Sequence, residues 1–178
     1  MAARQLYGPN MALGLDSVLV GCWTDDVAAT GITVVLPPAG SIGGIAVRGG
    51  APGTREAAAL GPTASGVECH AVVLCGNSVF GLAAADGVVG WCVEQGRGLE
   101  LASSLIPVVA AAVVYDITSP DLARPTPESG RLACEAAASG DPLSGRHGVG
   151  RGCTVGKAAG RNYSVAGGQG IAVCREGD

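Results

Sequence analysis

Lys157 is the only lysine in the chain, and it stands in a glycine tract, Gly145 to Gly160 (GRHGVGRGCTVGKAAG). An ammonium set among backbone N–H groups can stabilise a developing oxyanion. The tract also invites a phosphate-loop reading, G-x-x-x-x-G-K-[ST]. That match fails twice: Arg151 stands five before Gly156, and Ala158 stands where a magnesium-binding hydroxyl belongs. Without the pattern's first glycine and its hydroxyl, the alternative is a turn-rich surface loop with a solvated lysine. Tyr115-Asp116 closes a long apolar run, and side chains at strand ends often emerge into a cleft. The plainer reading is a tyrosine that caps the core with its hydroxyl in water. Gly76-Asn77-Ser78 occupies a strand-to-helix turn, as a nucleophile elbow would. The G-x-S-x-G pattern is not met, because Val79 and Phe80 separate Ser78 from Gly81. A helix N-cap is the simpler role for Asn77 or Ser78. His70, beside Cys69, reads as a satisfied structural histidine. His147 shares the glycine tract with Lys157, and neither histidine has a metal-type neighbour.

Composition narrows the class. The chain has 178 residues, 48% of them apolar and 15% charged, with a net charge of −4. This length suits one domain or a compact pair of lobes, and a chain of this size hides roughly 70% of its unfolded surface. Intrinsic disorder is excluded by the apolar content. Six aromatic residues and a negative charge argue against nucleic-acid binding. Seven cysteines, with no C-x-x-C pair, fit neither a zinc site nor a disulfide framework. Cys69, Cys75, Cys92 and Cys134 lie in apolar stretches and read as small buried hydrophobes in a reducing, cytoplasmic setting. No secretory signal is visible in the first ten residues. The strongest apolar run, Leu105 to Val114, is about half the length of a membrane span. No cofactor, metal or membrane association is expected.

The elements that must position these residues follow from periodicity and punctuation. Residues 1–14 read as an arm and 15–178 as part of one domain. Strands are predicted over 17–23, 32–36, 42–48, 70–75, 107–117 and 170–174. The second and third are expected to form a hairpin across Pro37-Pro38-Ala39-Gly40. Arg55 to Leu60 reads as a short helix with Thr54 at its N-cap. Val79 to Gln95 reads as a longer helix, with Phe80, Ala84, Val88 and Trp91 or Cys92 on its buried face. Gly81, Gly87 and Gly90 within it imply close packing on another backbone. Gly130 to Ser139 is an alanine-rich helix with Pro127-Glu128 in its first turn. Strands followed by strand–helix alternation predict an α/β chain with a mixed sheet.

Several segments in order then resemble a known family. They are Val20-Gly21-Cys22-Trp23-Thr24-Asp25, Thr30 to Leu36, Val47-Arg48-Gly49-Gly50-Ala51-Pro52-Gly53-Thr54-Arg55-Glu56, His70 to Leu74, Phe80 to Val88, Tyr115-Asp116 and Thr154-Val155-Gly156-Lys157. Together they are similar to the DmpA-type L-aminopeptidase/D-esterase family, which includes β-aminopeptidases and nylon-oligomer hydrolases. The resemblance covers about residues 15 to 174. It implies a four-layer αββα sandwich of the N-terminal-nucleophile type, usually oligomeric. It implies a precursor that cuts itself before a Ser or Thr, whose hydroxyl then attacks an amide or ester with its own amine as base. The substrate implied is a small peptide or related amide.

Carried over by position, Tyr115 resembles the family's active-site tyrosine and Lys157 the family lysine close to the nucleophile. The chain departs from the pattern at Cys22 (usually His), Asn77 (usually Gly) and Ala57-Ala58 (usually Thr-Asp). The family's asparagine and its nucleophilic Ser/Thr lie beyond the segment matched by Gly167 to Asp178. The expectation is therefore an amino-terminal portion, incomplete at the carboxyl end, whose catalytic half is absent or arrives as a second chain. The alternative is a truncated, inactive relative that serves as a binding or oligomer-forming remnant. Alone, the chain would leave strands 32–36, 70–75 and 107–117 without a partner sheet, and such a patch drives association or aggregation, so the chain by itself is expected to be oligomeric or poorly soluble.

Overall fold

Asp25 sets the first hairpin. Its Oδ1 accepts the backbone N–H groups of Val27 and Ala28 at 2.9 and 2.8 Å, an Asx-type turn that reverses the chain. The reversal joins β1 (Leu19–Asp25) to β2 (Thr30–Leu36). The two are antiparallel, in the register Leu19 to Leu36 through Asp25 to Thr30. The computed structural model describes residues 17–66, 68–117, 121–137 and 144–172. The arm over 1–14 and the last two residues of the strand expected over 170–174 lie outside them.

Three more strands complete the main sheet: β3 (Thr54–Arg55), β4 (Ala71–Cys75) and, further along, β7 (Val109–Val113). A small ribbon precedes β7, made of β5 (Leu99–Leu101) and β6 (Ser104–Ile106). The sheet order is β1-β2-β4-β7-β3. β4 and β7 are its one parallel pair, with Ala71 opposite Val109 and Cys75 opposite Val113. A second ribbon pairs β8 (Thr154–Val155) with β9 (Val165–Ala166).

The hairpin expected between 32–36 and 42–48 does not form. β2 already has β1 on one edge and β4 on the other, so no ladder remains for a third partner. Residues 42–48 keep only an isolated bridge from Ile42 to Glu68. The strand expected over 107–117 shortens to five residues. Thr54 is not an N-cap but part of β3, and a 3-10 turn, Ala57–Leu60, follows Glu56. Residues 170–172 are not in a strand.

Side chains alternate across the sheet. Ile32, Val34, Val73, Cys75 and Val109 point to one face and are fully buried. Two helices cover that face: α1 (Ala84–Glu94) and α2 (Pro127–Ala137). The helix expected from Val79 begins as a 3-10 segment, Ser78–Ala83. That tighter winding changes the facing of Phe80, which is 45% exposed with the Arg124 guanidinium 3.6 Å above its ring. Ala84, Val88, Trp91 and Cys92 are buried as expected. No helix among the described residues is long and apolar enough to cross a membrane.

The helices meet backbone to backbone. A Cβ on Gly87 would run into the Pro127 carbonyl, and one on Gly130 into the Ala84 carbonyl. Gly90 differs, since a Cβ there meets nothing within 4 Å. Of these two α1 glycines, then, only Gly87 does the close packing the sequence suggested.

Two outcomes test this packing. Gly130→Ala should destabilise the fold by about 2 kcal/mol through overpacking, despite better helix propensity. Gly90→Ala should stabilise it by about 0.5–1 kcal/mol, because propensity alone acts there. Urea unfolding midpoints of the two variants should move in opposite directions. A second test concerns thiols: Cys69, Cys75, Cys92 and Cys134 are free and buried, while Cys22 and Cys153 are half-buried. Burial pushes the Cys75 and Cys134 thiols up to about 12 and the Cys92 thiol to about 11. Native alkylation followed by peptide mass mapping should therefore leave all three unmodified while labelling Cys153.

Candidate active site

The parallel strands β4 and β7 end side by side, and their carboxyl ends build the site. This is where clefts form in sheets with parallel strands. β7 runs on into Tyr115-Asp116. β4 runs into Gly76-Asn77-Ser78, and Ser78 N–H donates to the Val114 carbonyl at 3.0 Å. β2 begins at the same end, with Thr30.

Asp116 ties the three strand ends together. Its Oδ2 accepts the Thr30 hydroxyl at 3.1 Å, and its Oδ1 accepts the backbone N–H of Asn77. The side chain is 6% exposed. Gly76 and Gly152 flank it closely: a Cβ at Gly76 would lie 2.8 Å from Oδ2, and one at Gly152 would lie 2.6 Å from it. Only residues without a side chain let both backbones approach the carboxylate so closely. Burial raises the Asp116 carboxyl above its ordinary value, while the Asn77 and Thr30 hydrogen bonds and the Lys157 charge pull against it.

Asn77 and Ser78 both adopt the left-handed region, at φ 64° and 55°. Asn77 sits at the N-cap position of the 3-10 segment but makes no side-chain capping bond. Its backbone N–H serves Asp116 instead. The sharp turn thus resembles an elbow in shape, and its carboxylate partner is what holds it there.

The β8–β9 ribbon brings Lys157 to the same place. Lys157 begins a 3-10 turn, Lys157–Ala159, in the excursion between the two strands. Its Nζ donates to the Tyr115 carbonyl at 2.7 Å and lies 5.9 Å from the centre of the Tyr115 ring. A cleft of about 260 Å³ opens between them, lined by Tyr115, Asp116, Gly152, Thr154, Lys157 and Ser164, among others. The two candidates named from sequence, 42 residues apart, therefore face one cavity. Tyr115 is 53% exposed on its wall.

Other sequence candidates separate. Ser78 does not line the cleft. His147 is exposed and precedes the 3-10 turn Gly148–Gly150. His70 lies at the far end of β4 and is only half satisfied. Its Nδ1 accepts the Val108 N–H at 3.0 Å, but Nε2 has no hydrogen-bond partner. Asp116 was underweighted by sequence reasoning. The signal for it was an acid that follows Tyr115 at the end of the apolar run Leu105 to Val114. Thr154 and Ser164 carried no signal, because only the fold brings them to the cleft.

The Asp116 environment has a pH signature. Folding raises its pKa, so the native state holds this proton more tightly than the unfolded chain does. The group's contribution to stability is fully present below the ordinary carboxylate value. It falls as pH rises through the elevated one, the reverse of a salt-bridged carboxylate. Unfolding free energies of the parent chain and Asp116→Asn, measured between about pH 4 and about pH 7, should show the parent losing ground to the variant as pH rises.

Comparison with known proteins bears on the family and the fold. The sequence profile described as peptidase family S58 matches residues 13–164. An uncharacterized aminopeptidase of Mycobacterium tuberculosis is 46% identical over 133 residues, covering 74% of this chain and 38% of that protein. A 6-aminohexanoate-oligomer endohydrolase of Kocuria sp. is 33% identical over 164 residues, covering 90% of this chain and 43% of that one. Among solved structures, the L-aminopeptidase D-Ala-esterase/amidase of Ochrobactrum anthropi superposes with a TM-score of 0.62 at 21% identity. That likeness covers 85% of this chain and 47% of the other, whose fold is described as a variant of the Ntn hydrolase fold. The chain thus spans less than half the length of each of these relatives. The expected Ntn-type α/β fold holds, with the helix-covered mixed sheet as this chain's share of it. The profile match over most of the chain, on the segments that build the cleft, makes this chain a member of peptidase family S58, the DmpA-type aminopeptidases.

Proposed function

We propose that this chain is the amino-terminal portion of an amide hydrolase of the aminopeptidase type, acting on small peptides or related amides. The observation that carries the proposal is the shared cleft of Tyr115 and Lys157 at the carboxyl ends of β4 and β7. The names of the relatives, aminopeptidase and oligomer endohydrolase, support amide hydrolysis.

In this proposal the nucleophile is a Ser or Thr that autoproteolysis leaves at the start of a second chain. Its hydroxyl attacks the amide carbon, and the proton passes to its own α-amine. The carbonyl oxygen gains negative charge. The Lys157 ammonium and the Tyr115 hydroxyl stabilise that charge from the cleft wall. Collapse breaks the C–N bond, and the leaving amine takes the proton back. Water then hydrolyses the acyl-enzyme ester.

The second segment also has a place to pack. The sheet face opposite the helices carries Leu74, 36% exposed, between Thr33 on β2 and the half-buried Ala112 on β7. The relatives' greater length supports a covering layer there, contributed by the processed partner or by a further copy.

Intact-mass analysis of the natively purified protein tests the processing. The expected result is a co-purifying chain that begins with Ser or Thr beside the 17.4 kDa species. A 17.4 kDa chain alone would replace the hydrolase reading with that of a binding remnant. In the assembled enzyme, Lys157→Met and Tyr115→Phe should each lower kcat on an amino-acid p-nitroanilide by about 10²–10³, the loss typical of one oxyanion-stabilising group. The KM should change far less, because the lost interaction belongs to the transition state.

A further inference from the structure

The other end of the parallel pair holds a second cavity, which the proposed chemistry does not use. It lies where β4 and β7 begin, a strand length of roughly 16 Å from the cleft. Its volume is about 110 Å³, and its lining includes Glu68, Cys69, His70 and Arg97. That is room for about three waters.

His70 determines its chemistry. The Val108 N–H donates to His70 Nδ1 at 3.0 Å. A neutral imidazole that accepts at Nδ1 carries its proton on Nε2. Burial and the nearby Arg97 lower the His70 pKa, against an opposing pull from Glu68, which favours this neutral form. The residue is 6% exposed, and Nε2 is buried without a hydrogen-bond partner. Leaving a buried donor unpaired costs about 1–3 kcal/mol.

Arg97 adds charge beside it. Its guanidinium is held by the Pro37 and His70 carbonyls and also faces the Cys92 thiol. Arg97 Nε is a second buried donor without a partner. The remaining walls offer little to satisfy these donors. The Cys69 thiol turns to the Ala71 carbonyl, and burial raises its pKa, so it adds no negative charge. The Glu68 carboxylate stands 3.8 Å from His70 Nε2, beyond hydrogen-bond distance. It is 43% exposed and also accepts the Gly40 N–H at 3.3 Å.

We propose that this cavity binds a small oxyanion, whose oxygens accept from His70 Nε2–H and from the Arg97 guanidinium, with Glu68 as a built-in competitor. Two buried donors without partners and one cation, on residues that line one cavity, ask for an acceptor with more than one oxygen. A carboxylate or a phosphate meets that demand, and a cavity of this size admits either. Glu68 faces the same donor from the rim, so its charge weakens binding without filling the site.

The test is a titration of the isotopically labelled full chain, followed by the NMR signals of the His70 ring. Inorganic phosphate and acetate are added separately, with ionic strength held constant by sodium chloride. A saturable shift is expected, with a half-point of about 1–10 mM. Glu68→Gln, at a half-exposed position, should lower that half-point about tenfold by removing the competing charge. Arg97→Lys should raise it, since the Nε donor and the planar fork are lost while the charge remains. Saturation by both probes supports a general oxyanion site, and saturation by one alone assigns the site to that class. Shifts no larger than those from chloride alone, or a half-point unmoved by Glu68→Gln, would overturn the proposal and leave His70 to water or to Glu68.

Discussion

A carboxylate taken out of water must find donors, and at Asp116 that requirement organises one end of the sheet. The acid collects the Thr30 hydroxyl from β2 and the Asn77 N–H from the turn after β4. It follows closely on β7, so a single side chain pins three strand ends. Gly76 and Gly152 close on it because neither has a Cβ to keep it away. The left-handed pair Asn77-Ser78 costs about 1–3 kcal/mol per residue when unsupported. Here the Asp116 bond and the Ser78 bond to the Val114 carbonyl hold it. Tyr115 is adjacent to this knot, so its position on the cleft wall follows from a rigid base rather than from the loop around it.

Lys157 reaches the cleft by another route. It has no partner strand in the main sheet. The β8–β9 ribbon delivers it, and one hydrogen bond to the Tyr115 carbonyl fixes its head. That bond uses a backbone acceptor and leaves the tyrosine side chain, 53% exposed, out of it. The result is a tyrosine and a cation on one wall, with a buried acid beneath them. Such an arrangement suits a developing negative charge, because its donors are placed before any charge appears.

The helices constrain the same end from the opposite side. Gly87 and Gly130 let α1 and α2 touch backbone to backbone over Ile32, Val34 and Val73. The 3-10 segment between the Asn77 turn and α1 absorbs the mismatch between the turn and the helix. Its tighter winding is the reason that Phe80 leaves the face that a regular helix would have given it.

The local grammar of the chain was legible without coordinates. The β-branched run Ile32–Leu36, the apolar HAVVLC segment and the alanine-rich helix each announce their type through period and propensity. Tyr115 and Lys157 were visible as candidates, one at the end of an apolar run and one as a single lysine among glycines, but residue type alone left the plainer readings open and the family resemblance raised both. Strand partnership was not legible. Proximity in sequence suggested that 32–36 pairs with 42–48, whereas β2 is enclosed by β1 and β4. Pairing is settled by which edges remain free, and that is a property of the whole sheet. The role of Asp116 was hidden for the same reason: its donors come from residues 86 and 39 positions away. Composition and periodicity thus determined the type of the strongly patterned segments, such as 32–36, 70–75 and the helix at 130–137, and which side chains were candidates. Only the tertiary structure decided which strand ends converge, because a buried charge is satisfied by groups that no local window contains.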